Sequence, residues 1–175
     1  KVTTNDGVEH TSTFTANYGT TYTVKVTPAT GYNAGTPSVS SGTITGNLTI
    51  TATAATIKTF TLSIGATTNQ TYVATIGGVA KTATSSATNY TVDYGTAYSI
   101  VYTANAATAA YTYTASAAVS GTVTADVSVP AKSATSTLRY YNLTVPATTN
   151  QTYVLKLAVN STYGGTLPSY TSTAT

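Results

Sequence analysis

The most closely spaced ionisable residues are Asp6, Glu9 and His10, in the segment NDGVEH. Carboxylate oxygens and an imidazole nitrogen are competent ligands for a divalent cation, so these three residues form the candidate metal site. A similar segment, IGGVAK at 76–81, keeps the glycine and has none of the three potential ligands. Because an Asp-Gly pair also suits a tight hairpin turn, we expect a turn here, and no cofactor.

Acid–base catalysis needs two suitably placed carboxylates, or a histidine with a partner. The chain has four acidic residues and one histidine. Asp93 and Asp126 match Asn17 and Asn47 in the repeat described below, and Asp and Asn are both turn formers. A Ser-His-acid triad would have to use His10, and no nucleophile-elbow motif surrounds a serine. We therefore expect that the protein is not an enzyme.

A third type of chemistry is covalent modification. Asparagine followed by any residue and then Ser or Thr is the acceptor pattern for N-linked sugars. In an organism that glycosylates its exported proteins, these asparagines are candidate surface sites. The pattern occurs at Asn47, Asn69, Asn89, Asn142, Asn150 and Asn160.

The composition excludes several classes of protein. Threonine occurs 45 times, only 6% of the residues are charged, and the formal net charge is +3. A charge this small indicates neither nucleic acid nor an anionic membrane as a partner. Cysteine is absent, which excludes disulfides and thiolate chemistry, and no apolar stretch reaches the ~18 residues of a membrane span. Because Tyr, Val, Ile and Thr favour strands, we expect a folded, almost entirely β chain.

The sequence contains a repeat of roughly 80 residues. We call residues 1–59 the first copy, 60–137 the second copy and 138–175 the tail. The matching segments follow the same order in each copy. They are 2–8 with 73–79, 14–26 with 90–102, 41–50 with 120–129, and 60–73 with 141–154.

Within each copy, apolar residues alternate with threonine and serine. Tyr22, Val24 and Val26 are separated by Thr and Lys, and Phe60, Leu62 and Ile64 by Thr and Ser. This alternation, with turn signals every ~8–12 residues, is typical of half-buried antiparallel strands. We predict an all-β fold of two tandem antiparallel β-sandwiches, followed by a strand-bearing tail.

One long segment supports this prediction by resemblance. YTVKVTPATGYNAGTPSVSSGTITGNLTITATAAT, at 22–56, resembles the tandem β-repeat modules of bacterial surface proteins and phage structural proteins, the internalin B-repeat-like and immunoglobulin-like families. The resemblance implies an exposed adhesive or spacer role without catalysis. It carries no catalytic residues that could be assigned to this chain.

The repeat predicts that the first copy is short of one strand. Lys1 aligns with Tyr72, so the first copy lacks the equivalent of 60–71, and the tail begins with a second version of that strand. The tail strand could complete the first copy of another chain, the sequence could be cut from a longer array, or the tail could fold back within its own chain. The donor side chains would be Tyr141, Leu143, Val145, Tyr153 and Leu155.

Donation between chains makes the protein a subunit of an extracellular filament, such as a pilus-like, phage or cell-surface fibre. Its partners would be copies of itself, joined head to tail through strand addition, and it would lie on a cell or virion surface. The alternative is a surface-displayed adhesin or carbohydrate-binding module. Its fifteen tyrosines would then contact host-surface glycans or proteins.

Overall fold

The computed structural model describes residues 1–144. This range is all-β, as predicted, and it contains no helix, and so none long and apolar enough to cross a membrane. Residues Lys1–Arg139 form one compact unit. The strands are β1 (Val2–Thr4), β2 (Glu9–His10), β3 (Thr21–Val24), β4 (Tyr32–Asn33), β5 (Ser41–Thr43), β6 (Thr56–Ile57), β7 (Thr59–Ile64), β8 (Thr67–Thr68), β9 (Gln70–Ile76), β10 (Val79–Ala80), β11 (Thr88–Asp93), β12 (Ala97–Ala104), β13 (Tyr111–Thr114), β14 (Val119–Thr122), β15 (Val127–Val129), β16 (Lys132–Ser133) and β17 (Thr135–Leu138).

Each copy contributes one four-stranded antiparallel sheet with the same strand order. The order is β2-β1-β3-β5 in the first copy and β10-β9-β12-β14 in the second. In the first sheet Tyr22 faces Gly42 across the strands, and in the second Tyr98 faces Gly121. A Cβ built on either glycine would lie within 3.0 Å of the tyrosine hydroxyl, so each aromatic ring occupies the space that the glycine leaves free.

The hairpin that opens this sheet differs between the copies by one residue. Gly77 and Gly78, both with positive φ, form a two-residue turn, whereas Asn5, Asp6 and Gly7 form a three-residue turn. Lys1 and Lys25 exchange both main-chain hydrogen bonds, as expected for the counterparts of the pair Val73 and Val101. The alignment of Lys1 with Tyr72 is therefore wrong: Lys1 corresponds to Val73, and the first copy also lacks a counterpart of Tyr72.

The second copy has a further sheet, with the order β11-β7-β15. Its central strand, β7, pairs antiparallel with β11 and parallel with β15, and β8 pairs parallel with β16. The parallel pairs depart from the wholly antiparallel pairing that the sequence predicted. Alternation along β7 buries Leu62 and Ile64, as expected, beneath the inner face of the four-stranded sheet.

The hydrophobic core lies almost entirely in the second copy. Ten of the eleven buried apolar side chains of the described residues belong to it, and only Tyr22 belongs to the first copy. The core cluster is formed by Leu62, Ile64, Tyr72, Ala74, Val92, Ile100, Tyr102, Val123 and Val129.

The two copies are joined without a loop. Lys58 is the single residue between β6, which pairs with β4, and β7, which pairs with β11. Its N–H donates to the Gly31 carbonyl at 2.8 Å, and its carbonyl accepts from the Tyr94 N–H at 2.8 Å. A Cβ at Gly31 would collide with the Tyr94 ring. Lys58 is therefore hydrogen-bonded to both copies.

Because Leu62 is fully buried in the central strand, we expect Leu62→Ala to lower the free energy of unfolding by about 2–5 kcal/mol. Val101, which is 54% exposed on the neighbouring sheet, provides the control, and Val101→Ala should change it by less than about 0.5 kcal/mol. Urea denaturation followed by circular dichroism measures both. Equal effects of the two substitutions would show that β7 does not organise the core.

Candidate functional site

The first copy contains a groove on the side where the second copy holds β7. The groove has a volume of about 470 Å³ and lies between two segments, 13–16 and 44–50, with Val2 and Tyr22 of the four-stranded sheet in its lining. Neither 13–16 nor 48–50 forms a strand. Phe14, Leu48 and Ile50 present apolar surface along its walls.

The repeat identifies what fills the same space in the second copy. The match of 14–26 with 90–102, continued two residues toward the N-terminus, relates residues 12–17 to β11. The match of 41–50 with 120–129 relates residues 48–50 to β15, and β11 and β15 are the two strands that flank β7. Leu62 of β7 lies opposite Tyr90 and Val127, which correspond to Phe14 and Leu48. The groove therefore lies at the position that matches the central strand β7 of the second copy.

Burial differs at matched positions, as this correspondence requires. Val92 is 4% exposed in the second copy, whereas its counterpart Ala16 is exposed. Val129 is 5% exposed, whereas Ile50 is only half-buried. Leu48 is 51% exposed. The apolar inner face of the first copy thus remains in contact with solvent along the groove.

Asp126 binds the backbone of β7 next to β15. Its Oδ1 accepts the Thr61 N–H at 2.8 Å, which satisfies a main-chain donor of β7 just before β15 begins. The counterpart of Asp126 is Asn47, which lines the groove and whose side-chain oxygen is also an acceptor. Sequence reasoning assigned only a turn role to these two residues and missed this contact. Their matched positions beside a missing strand were the available signal.

In the first copy, part of the segment that follows residues 48–50 already has main-chain hydrogen-bond partners. The Thr53 N–H donates to the Thr36 carbonyl at 2.9 Å, and the Ser38 N–H donates to the Thr51 carbonyl at 2.7 Å. In the second copy Lys132, the counterpart of Thr53, donates its N–H to Ala66 at 3.2 Å, beside β8. A strand equivalent to β8 could pair with this segment only after the hydrogen bond between the Thr53 N–H and the Thr36 carbonyl breaks.

Asp6, Glu9 and His10 do not come together as a metal site. The described residues contain no group of three or more side chains arranged to hold a metal ion. Asp6 Oδ1 instead accepts hydrogen bonds from the Thr4 hydroxyl at 2.6 Å and the Val8 N–H at 3.1 Å. Glu9 forms an ion pair with Lys1 at 2.7 Å, and His10 stacks on Phe14 with 3.7 Å between ring centroids. The turn interpretation of Asp6-Gly7 accounts for these contacts.

The same contacts determine the charge state of this hairpin. The hydrogen bond from Thr4, followed by that from Val8, holds the pKa of Asp6 below its ordinary value of 3.8. The hydrogen bond and positive charge of Lys1 lower the pKa of Glu9. Both carboxylates therefore remain ionised above their ordinary pKa values.

The glycosylation candidates occupy different environments. Asn47, Asn89 and Asn142 are exposed, whereas Asn69 is half-buried in a left-handed conformation with φ 58°. Asn47 lines the groove, so a sugar there would stand at its mouth. Asn150 and Asn160 lie outside the described residues.

The donor candidates are only partly described. Tyr141 is 66% exposed and Leu143 is 64% exposed, whereas their counterparts Phe60 and Leu62 are half-buried and fully buried in β7. Residues 141–144 form no strand. Val145, Tyr153 and Leu155 lie outside the described residues.

Comparison with protein-family models, with curated proteins and with solved structures gives no match. The structural counterpart of the groove within the described residues is the site of β7 in the second copy.

We expect the Val8 amide to titrate with Asp6, at a midpoint below 3.8. Because the folded pKa is depressed, the stabilisation that Asp6 gives the hairpin is present above the unfolded value and is lost as pH falls through the folded value. Proton–nitrogen NMR of the chain between pH 2 and 7 measures the midpoint, and Asp6→Asn should remove the titration. A midpoint at or above the ordinary value would contradict the assignment of these hydrogen bonds.

Proposed function

We propose that the protein is a structural subunit of an extracellular filament, assembled head to tail by strand complementation. The tail strand that begins at Tyr141 of one chain enters the groove of the first copy of the next chain. The observation that carries this proposal is the groove itself, which lies where β7 lies in the second copy.

The identity of the occupant is supported by the repeat. FTLSI at 60–64 occupies the equivalent position in the second copy, and YNLTV at 141–145 is its match in the tail. In the same register Leu143 would face Phe14 and Leu48, and Tyr141 would lie opposite Ala16. Asn47 would accept the Asn142 N–H, as Asp126 accepts that of Thr61.

The energetic reason for association is the burial of two apolar surfaces. Each large apolar side chain transferred from water contributes about 1.5–3 kcal/mol, and Tyr141 and Leu143 are mostly exposed before association. The incoming backbone would gain partners on both sides, antiparallel to 12–17 and parallel to 48–50. Because donor and groove are different surfaces of the chain, the contact is heterologous, and repetition produces a linear polymer unless it closes into a ring.

Two finer features belong to the same proposal. Each copy, once it contains its β7-type strand, is a two-sheet β-sandwich of immunoglobulin-like type, and the chain consists of two such domains and a donor tail. The low charge and the threonine-rich outer faces suit an exposed polymer on a cell or virion surface, in line with the resemblance to surface and phage repeat modules.

We expect Leu143→Asp to abolish filament growth, because it places a carboxylate in the apolar groove. Asn142→Asp is the matched control, since it adds the same charge one residue away on the outer face, where the counterpart Thr61 is exposed. Negative-stain imaging and light scattering after size-exclusion chromatography measure polymer length. Filaments of equal length from both variants would contradict strand donation.

Mixing two assembly-deficient chains tests the polarity of the contact. A chain with Leu143→Asp keeps its groove, and a chain with Leu48→Asp keeps its donor strand. We expect each chain alone to be a monomer of 17.8 kDa and the mixture to form dimers that grow no further.

Other outcomes separate the alternatives. Unsubstituted chains that remain monomeric would favour fold-back, a segment preceding Lys1 in a longer chain, or an adhesin. Leu143→Asp would then destabilise the monomer only in the case of fold-back.

A further inference from the structure

We propose that the first copy has a second, separate binding pocket for the donor, which receives the ring of Tyr153 from the neighbouring chain. This inference rests on the proposed function and specifies its second contact. It follows from a smaller cavity of about 250 Å³, next to the groove, and from the corrected register of the first copy.

In the second copy Tyr72 shows what such a pocket holds. Its ring is 1% exposed and packs against Tyr102 with 6.3 Å between centroids. Its hydroxyl donates to the Ser86 carbonyl at 2.8 Å and lies 3.0 Å from the Thr88 Oγ1. Tyr72 is the largest fully buried side chain in the described residues.

The residues around the first-copy cavity are the counterparts of those around Tyr72. Val26 corresponds to Tyr102, Ser12 corresponds to Thr88, and Ile50 corresponds to the buried Val129. Lys1, also in the lining, corresponds to Val73. The side chain that would enter the cavity therefore belongs at the position next to Lys1 in this sheet, the counterpart of Tyr72.

The tail carries a tyrosine at the required distance. Tyr72 follows Ile64 by eight positions, and Tyr153 follows Val145 by the same number, within the matched segments 60–73 and 141–154. A donor held in the groove by Leu143 and Val145 thus brings Tyr153 to the cavity, with Ser12 Oγ as hydrogen-bond partner for its hydroxyl. Because Val154 matches Val73, whose place Lys1 takes, the donor backbone leaves the sheet after Tyr153. The donor segment between Val145 and Tyr153 must replace the Thr36 carbonyl as the hydrogen-bond partner of the Thr53 N–H.

The pocket differs from the surroundings of Tyr72 in two ways. Val26 is smaller than Tyr102, and the segment before Ser12 is shorter than the one before Thr88, so Ser86 has no counterpart. Ser12 is the counterpart of Thr88, the side chain that contacts the Tyr72 hydroxyl. The contribution of the Ser12 hydrogen bond is measurable by a double-mutant cycle.

The test uses a fluorescent peptide of residues 141–154 and, as recipient, the full chain with Leu143→Asp and Tyr153→Ala, which inactivate its own donor. We expect Tyr153→Ala in the peptide to weaken binding at least about thirtyfold, as for a central aromatic contact. Tyr153→Phe and recipient Ser12→Ala should each weaken it roughly fivefold, with no further loss when combined. Thr144→Ala in the peptide, outside the pocket, is the control, with less than about a twofold change.

Each result has one meaning. Equal affinity of the unsubstituted and Tyr153→Ala peptides would overturn the pocket while leaving strand donation intact. Independent losses from Tyr153→Phe and Ser12→Ala would overturn the assigned hydrogen bond. Failure of the unsubstituted peptide to bind at all would overturn the proposed function itself.

Discussion

A sheet with one apolar face must have that face covered, and in this protein a single central strand provides the cover. In the second copy β7 lies between β11 and β15 and closes the core around Leu62 and Ile64. In the first copy the same four-stranded sheet is formed, but a groove between 13–16 and 44–50 lies at the position that matches β7. The difference in burial between the copies lies along this groove.

The two copies share their local features but differ in their cores. The opening hairpins and the turn at Gly19 and Gly95 need only residues near in sequence, and they occur in both copies. The tyrosine–glycine contacts, which join β3 to β5 and β12 to β14, also occur in both copies. The core needs a strand from outside the hairpins. The loop-free connection through Lys58 also fixes the second copy directly to the first.

The sequence predicted the repeat, the all-β class and the inward faces of β3 and β7 because alternation in a half-buried strand depends on local pattern. It did not predict the parallel pairing of β7 with β15, since pairing direction depends on how distant segments meet. The alignment misplaced Lys1 by one residue because turns of two and three residues have similar sequences. Asp126 was recognised as a turn former, but its contact with Thr61 spans 65 residues and leaves no local signal.

The central claim is that the first copy gains its missing strand from another chain. Hydrogen exchange at the amides of residues 12–17 and 48–50 tests it most directly, in the chain with Leu143→Asp before and after saturation with a peptide of residues 141–154. The account predicts fast exchange without peptide and, with peptide, slow exchange like that of the matched amides of 88–93 and 127–129. Exchange that is already slow without the peptide, or that stays fast at saturation, would contradict it.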